Sequence, residues 1–361
     1  MSSMKAVQLT GPGKYRLRND LDIPQPGPGE VRVRVAAAGI CGTDVHICSG
    51  DPSMNGIISP PVVLGHEFCG HIDKLGPDVD PAKFREGDYV SAEMHEICNA
   101  CPACQDGAFH ACMRTKIRGI SLDGAFAEFV VISASNVVKL PEKLPVEVGA
   151  ILDPLGNAVH TTLKVPVENR SVAIVGWGPI GAMCGEIANF VGSKHIFVLD
   201  VADQALGRAK QWAARHNIED RVTVVDARGT APTPVEAVTA ASEGGVDVAL
   251  EISGHPAGIN NAIQMTRAGG HVVHLGLPKE NAVTIENFSR HFIFRGLTLH
   301  AVIGREMFRT WDQMLDLLER GMNVEDLISA RMALDDFGNG VERFGKGLES
   351  KVVLYPAGAP R

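Results

Sequence analysis

Basic residues are in the minority in this chain of 361 residues: 34 lysines and arginines face 42 aspartates and glutamates, a formal charge of −8. With no basic excess there is little to release counterions from a phosphate backbone, which argues against a nucleic-acid partner. Long apolar runs are missing too. Charge-free stretches such as residues 171–185 and 252–266 fall short of the roughly twenty residues a membrane helix needs, so no membrane partner is expected. The opening residues Met1-Ser2-Ser3-Met4-Lys5 offer no apolar core of the kind a secretory signal requires. Eight cysteines without such a signal point to a reducing compartment, the cytoplasm, where thiols bind metal or stay free. There are no internal repeats and no low-complexity segments. What remains is 45% hydrophobic and 21% charged, an ordinary globular composition long enough for two domains.

The first part of the chain is β-rich. Residues 30–35 alternate Val31, Val33 and Val35 with Arg32 and Arg34, the period-two mark of a half-buried strand. Further short strands are expected at residues 5–9, 68–75, 89–92, 125–132 and 137–140. Pro24, Pro26 and Pro28 with Gly27 and Gly29 form a loop between the first two. No helix of any length is expected before about residue 145. The pattern describes an irregular, mostly antiparallel, barrel-like domain.

Two metal signatures lie inside it. Cys98, Cys101, Cys104 and Cys112 follow a C-x₂-C-x₂-C-x₇-C spacing that can close a tetrahedral Zn²⁺ site on one loop. An iron–sulfur cluster competes for such a set, and zinc is favoured because no other redox chemistry is indicated. The second signature is Gly65-His66-Glu67 together with Ile40-Cys41-Gly42-Thr43-Asp44-Val45-His46. Alone, Cys41 reads as a small buried hydrophobe and His66 as a satisfied core histidine. Together they form a soft nitrogen-and-sulfur set that suits Zn²⁺ and leaves a coordination position open.

From Asp153 the pattern changes to alternating strands and helices. A strand at residues 171–176 runs into Gly176-Trp177-Gly178-Pro179-Ile180-Gly181 and a helix to about Val191. The next strand, 196–200, ends in Asp200. A glycine triplet in this context is the dinucleotide-binding signature: glycines for the turn and close approach, helix N–H groups for the pyrophosphate, an acid for the ribose. No cation follows Asp200 before Arg208, which favours NAD over NADP. Strands at 222–225, 246–252, 271–275 and 297–302 complete the six a doubly wound parallel sheet needs, with Leu275-Gly276-Leu277 closing the fifth. Beyond them, a helix is expected to present Phe308, Trp311, Met314, Leu315 and Leu318 on one face and to end at Gly321. A closing strand at 351–355 is expected to rejoin the first domain.

The constellation resembles the zinc-containing medium-chain alcohol and polyol dehydrogenases over essentially the whole chain. Within that family it is most similar to the bacterial threonine-oxidising branch. Asp153-Pro154-Leu155-Gly156-Asn157-Ala158-Val159-His160-Thr161 and Gly304-Arg305-Glu306-Met307-Phe308 with Thr310-Trp311 carry the branch. The resemblance implies an α/β fold: a GroES-like β-rich catalytic domain (1–152 and 299–361, with a structural zinc lobe at about 93–115) plus a doubly wound Rossmann domain (153–298). It implies a catalytic zinc on Cys41, His66 and Glu67, a structural zinc on the four clustered cysteines, and Thr43 and His46 as a proton relay. It further implies NAD contacts at Gly176, Gly178, Pro179, Ile180, Gly181, Asp200, Leu275, Gly276, Leu277, Val302 and Ile303. Assembly as a homotetramer follows the branch, and so does oxidation of the L-threonine hydroxyl to 2-amino-3-oxobutanoate. A polyol, diol or other secondary alcohol is the alternative substrate. Asp153 stands where many relatives place Glu or Cys as a further zinc ligand, acting either behind the ligands or on the metal itself. Ala205 replaces a frequent basic residue, and Val302-Ile303 precedes Gly304 where Tyr is common in the branch. For Arg305 and Glu306, substrate recognition and a tie for the C-terminal segment weigh equally.

Overall fold

The computed structural model describes residues 3–279 and 282–358. The chain divides into two units: Met1–Pro154 with Glu306–Trp311 and Val324–Arg361, and Leu155–Arg305 with Asp312–Asn323.

The first unit opens with the hairpin β1 (Ser3–Gly11) and β2 (Lys14–Asp22), followed by β3 (Glu30–Gly39). Val31, Val33 and Val35 of β3 are buried as the alternation requires. Next comes α1 (Gly42–Ser49), where sequence periodicity leads one to expect no helix. Only Asp44 and Ile47 of α1 are buried, so no apolar stripe announces it. Its ends define it instead: the Asp44 carboxylate accepts the Cys41 N–H at 2.9 Å, and Gly50 closes the last turn. The strands β4 (Val62–Val63), β5 (Phe68–Leu75), β6 (Tyr89–Ala92) and β7 (His95–Glu96) precede the short α2 (Pro102–Gln105). After it come β8 (Lys116–Ile117), β9 (Phe129–Ser133), β10 (Val137–Lys139) and α3 (Val146–Gly149). Of the strand expected at 125–132, only the second half is regular.

The second unit is built on α4 (Leu152–Thr162), β11 (Ser171–Val175), α5 (Pro179–Phe190), β12 (His195–Asp200), α6 (Asp203–Arg215) and β13 (Val222–Asp226). It continues with α7 (Pro234–Ala241), β14 (Val246–Glu251), α8 (Pro256–Met265), β15 (Thr266–His274) and β16 (Thr298–Ala301). The strand order β13-β12-β11-β14-β15-β16, parallel throughout, is that of a doubly wound sheet. Its buried strands read as near-continuous apolar runs because helices cover both faces. β16 hydrogen-bonds to β15 as the sixth strand, so it belongs to this unit and not to the first, where the 298/299 boundary puts it.

The chain closes with α9 (Arg309–Glu319), β17 (Ala330–Ala333), α10 (Phe337–Gly345) and β18 (Val352–Tyr355). α9 begins after Phe308, which has a positive φ of 67° and stands outside the helix; Thr310, Trp311, Met314 and Leu317 are the buried positions. β18 rejoins the first unit, pairing antiparallel with β3 and parallel with β17 in the sheet β10-β6-β5-β3-β18-β17. This pairing brings Lys351, at the foot of β18, beside the end of β3, where the candidate metal ligands begin.

Candidate functional site

Cys41 caps α1 as β3 ends, while His66 and Glu67 lead into β5, the neighbour of β3 in the sheet. One ligand atom from each of Cys41, His66 and Glu67 lies within 4.8 Å of the others. Glu67 reaches this place because Gly39 has no side chain: a Cβ there would sit 2.2 Å from Glu67 Oε2 and 3.0 Å from the Ala150 carbonyl. Asp44 and Glu67 are fully buried, and Asp44 Oδ1 stands 3.7 Å from His66 Nδ1. Asp153, at the start of α4, is buried as well and acts electrostatically on His66.

The local field is strongly negative. Burial works against a charge on His66, yet Asp44, then Cys41 and Asp153, outweigh it and pull the imidazole up to about 10. Burial pushes the Asp44 carboxyl up to about 6. Asp44 Oδ1, His66 Nδ1 and Glu67 Oε1 are buried without a hydrogen-bond partner among the described residues. Buried polar atoms rarely stay unpaired without reason. A sulfur, a nitrogen and a carboxylate oxygen around one point, with excess negative charge, fit a Zn²⁺-sized cation.

Two groups around this cluster carry no motif. Asp44 orients Cys41 through the backbone and faces His66. Lys351, with 1% of its surface exposed, places Nζ 2.5 Å from Glu67 Oε2 and donates to the Ile40 carbonyl at 2.8 Å. The only early hint of Asp44 is its acid at the third helical position, a capping pattern. Lys351 had no local signal.

Cys98, Cys101, Cys104 and Cys112 converge on a separate loop. Their Sγ–Sγ separations run 3.6 Å (101–104), 3.5 Å (98–112) and 4.0 Å (98–104 and 101–112). A tetrahedron with Zn–S arms of about 2.3 Å has edges of about 3.8 Å. Backbone N–H groups, that of Ala100 first, pull the Cys98 thiol down to about 6, and the Cys104 backbone lowers Cys101. The donor set fits a closed tetrahedral site.

Thr43 Oγ1 lies 3.8 Å from Cys41 Sγ, and His46 occupies the last turn of the same helix. Elsewhere, the buried Glu93 accepts from Trp311 Nε1 at 3.1 Å and contacts His95 Nδ1 at 2.6 Å, so Trp311 hydrogen-bonds besides packing. Arg305 is buried in the second unit, lies over Gly156 and donates to Asn157 Oδ1 at 3.2 Å. Glu306 pairs with Arg309 at 2.9 Å.

In the second unit the loop from Gly176 to Gly181 joins β11 to α5. Gly176 has a φ of 100°, and a Cβ on Gly181 would stand 2.0 Å from the Gly176 carbonyl. Asp200 accepts the Trp177 N–H at 2.6 Å and the N–H groups of Val201 and Ala202 at 2.8 Å. Gly178, Pro179 and Ile180 open the helix, with Gly178 exposed. Of the other expected contacts, Leu277 is 89% exposed and Ile303 62%, whereas Leu275, Gly276 and Val302 are partly or fully buried. Glu251 at the end of β14 is fully buried. It accepts from the N–H and hydroxyl of Ser253 and from the Gly254 N–H, and it meets His274 Nδ1 at 3.1 Å. That one carboxylate ties the turn after β14 to the end of β15, beside Gly276 and Leu277. Leu277 and Ile303 thus present apolar side chains that a ligand could cover, just past the ends of β15 and β16.

Comparison with known proteins agrees with this geometry. Residues 27–142 match the alcohol dehydrogenase GroES-like domain and residues 179–320 the zinc-binding dehydrogenase family. The chain is 38% identical to an L-threonine 3-dehydrogenase of Symbiobacterium thermophilum over 98% of both chains. It is 39% identical to that of Bacillus licheniformis over 92% of this chain and 93% of the relative. Among solved structures, a protein assigned as a zinc-binding dehydrogenase from Sinorhizobium meliloti, bound to NADP, superposes with a TM-score of 0.86 at 31% identity, covering 99% of this chain and all of the other. A 2R,3R-butanediol dehydrogenase from Bacillus subtilis does so at 0.84 and 25%, over 98% of this chain and 100% of that one. With a GroES-like unit, a doubly wound dinucleotide unit and the thiolate–imidazole cluster in place, the chain belongs to the zinc-binding alcohol dehydrogenase family.

Proposed function

We propose that this enzyme oxidises the secondary hydroxyl of L-threonine to 2-amino-3-oxobutanoate, with NAD as hydride acceptor and two zinc ions per chain, one catalytic and one structural. The observation that carries the substrate is the match, at 35–39% identity over more than nine-tenths of the chain, to proteins named L-threonine 3-dehydrogenase. Cys41, His66 and Glu67 would hold the catalytic ion, with Asp153 adding to the negative field. Zinc bound there would supply a Lewis acid that lowers the pKa of a substrate hydroxyl. A nicotinamide dinucleotide held by its pyrophosphate at the Gly176–Gly181 loop would supply the hydride acceptor.

The chain's own residues do the rest. The Thr43 hydroxyl passes the substrate proton on, and the His46 imidazole accepts it. Glu251 holds the cofactor-facing turns in place. Asp200 accepts hydrogen bonds and repels a 2′-phosphate. Asp203 and Asp226 add to that repulsion, and Arg228 is engaged by both of them at 2.5 and 2.7 Å, which favours NAD. The four clustered cysteines would hold the lobe at 93–115 in shape. Association of copies into a tetramer is supported by the outer edge of β16, where Leu299 is exposed. A cytoplasmic location suits the eight free thiols.

A diol or polyol substrate is the second reading, favoured by the likeness to a butanediol dehydrogenase and by Val302-Ile303 before Gly304. NADH absorbance with zinc-loaded protein and L-threonine, beside sorbitol, 2,3-butanediol and NADP⁺, separates them. A clear preference for L-threonine with NAD⁺ is expected; a preference for a polyol would replace the substrate and leave the metal and relay assignments standing.

A further inference from the structure

In the turn from β11 to α5, Gly176 is half-buried and Gly178 exposed, while Trp177 between them is turned inward with 2% of its surface accessible. A turn that lets a pyrophosphate approach its backbone has no need of an indole, the largest of side chains. The berth for this one is built into α5. A Cβ on Gly185 would stand 2.3 Å from Cη2 at the far edge of the ring, so the helix is bare there and the indole fills the notch. Trp212 of α6 also meets it, with ring centroids 5.1 Å apart and planes at 55°, a tilted contact in the range where aromatic pairs attract beyond their buried area. The stack continues to His216, 5.7 Å from Trp212, and His216 Nε2 returns to α5 at 3.1 Å from Glu186 Oε2. Trp177 is thus gripped by two helices that are tied to each other one residue beyond the notch.

What the indole holds in place is a pair of backbone amides at the end of β12. The Gly176 N–H donates to the Leu199 carbonyl at 2.8 Å, and the Trp177 N–H donates to Asp200 Oδ2 at 2.6 Å. Asp200 Oδ1 accepts from both Val201 and Ala202, each at 2.8 Å. A carboxylate oxygen offers two lone pairs, so Oδ1 is filled and Oδ2 keeps one open. The Trp177 N–H sets the direction in which that lone pair points. Moving the indole would swing the amide and turn the carboxylate with it.

We propose that Trp177 is a positioning residue for the dinucleotide: its indole, wedged against Gly185 and Trp212, fixes the amide that aims Asp200 at the adenosine ribose. The proposal rests on the reading of the Gly176–Gly181 loop and Asp200 as the dinucleotide site. The part of the ligand that senses the wedge is the adenosine half, so ADP-ribose, which lacks the nicotinamide, reports it in full. The rival account is that the two indoles only fill the core between α5 and α6.

The test is calorimetric titration of zinc-loaded holoenzyme with ADP-ribose. Trp177→Leu removes the wedge, whereas Gly185→Ala keeps the indole and pushes it out of its notch. Met265→Ala is the control: it empties a fully buried site at the amino ends of the strands, next to Thr266, which pairs with Val246. Both wedge variants should bind ADP-ribose roughly tenfold more weakly, and KM for NAD⁺ should rise by more than kcat falls. Met265→Ala should melt lower than the parent and keep its affinity for ADP-ribose. On an Asp200→Ala background, Trp177→Leu should weaken binding by less than about twofold, because the group it acts through is gone. Parental affinity in Trp177→Leu or Gly185→Ala, an equal loss in Met265→Ala, or full additivity with Asp200→Ala would overturn the proposal and leave the dinucleotide site standing. Parental ADP-ribose affinity in Asp200→Ala itself would overturn the reading of the site, and the proposal with it.

Discussion

Replacing Lys351 with methionine tests whether the candidate metal cluster is compensated from outside its own motifs. Lys351 Nζ is 2.5 Å from Glu67 Oε2, and the two side chains are 2% and 0% exposed. Methionine keeps the length and the apolar stem while removing the charge. Taking one partner from a buried ion pair strands the other, at about 3–5 kcal/mol. At roughly 2–4 °C per kcal/mol, the metal-free protein should melt roughly 10 °C lower than its parent. Zinc should repair part of this. Glu67 Oε1 has no hydrogen-bond partner among the described residues, so a cation held with Cys41 and His66 gives the stranded carboxylate a new one. The gap between metal-free and metal-loaded melting temperatures should therefore widen in Lys351→Met.

The assay is thermal unfolding of both proteins, stripped and zinc-loaded, with Lys351→Met/Glu67→Gln as the third corner of the cycle. Removing both charges leaves no buried ion unpaired, so the double variant should recover most of the loss. A double variant as unstable as the single one would refute the reasoning. The loss would then come from packing of the long side chain, and the Glu67–Lys351 charge pair would carry no net weight.

Other consequences can be read with simple measurements. Because the negative pocket holds His66 up to about 10, its imidazole in the metal-free protein is charged at pH 7.5, and zinc binding must expel that proton. Calorimetry in buffers of different ionisation heat should find about one proton from His66 released per catalytic zinc. In the stripped protein, the stability that His66 contributes is full below its ordinary pKa of about 6.5 and is lost as pH rises through about 10. Asp200→Ala should weaken NAD⁺ by roughly tenfold and narrow the preference over NADP⁺, measured as KM for each. Glu251→Ala leaves the Ser253 and Gly254 donors unpaired, so the second unit should lose about 2–4 kcal/mol, and KM for NAD⁺ should rise; unchanged denaturant midpoints would count against its tying role.

The parts of this molecule that were legible in its sequence are those whose chemistry forces a spacing. Four thiols closing on one ion must lie close along the chain, and a pyrophosphate loop must put its glycines where a strand becomes a helix. The six parallel strands were legible for a related reason: burial on both faces leaves apolar runs between turn signals. α1 escaped because its stability lies in its ends, with Asp44 at one and Gly50 at the other, and periodicity does not report caps. The 298/299 boundary failed because it cuts the strand expected at 297–302, which pairs with β15 as the sixth of the sheet, so the second unit runs on to Arg305. The residues that escaped the site itself share one property. Lys351 balances Glu67, Asp44 faces His66, and Asp51 holds His46. Each answers a charge or an unpaired group that appears only once the chain has folded. Ligands are dictated by the ion they hold and leave a motif; their counter-charges are dictated by the pocket. Any element that reaches the pocket can supply one, so these groups leave no spacing to find. Lys351 stands at the foot of the closing strand, which reaches the end of β3 only through the sheet. Searching a folded chain for buried charges set against motif residues, as Lys351 is set against Glu67, therefore recovers the half of a site that motif reasoning cannot reach.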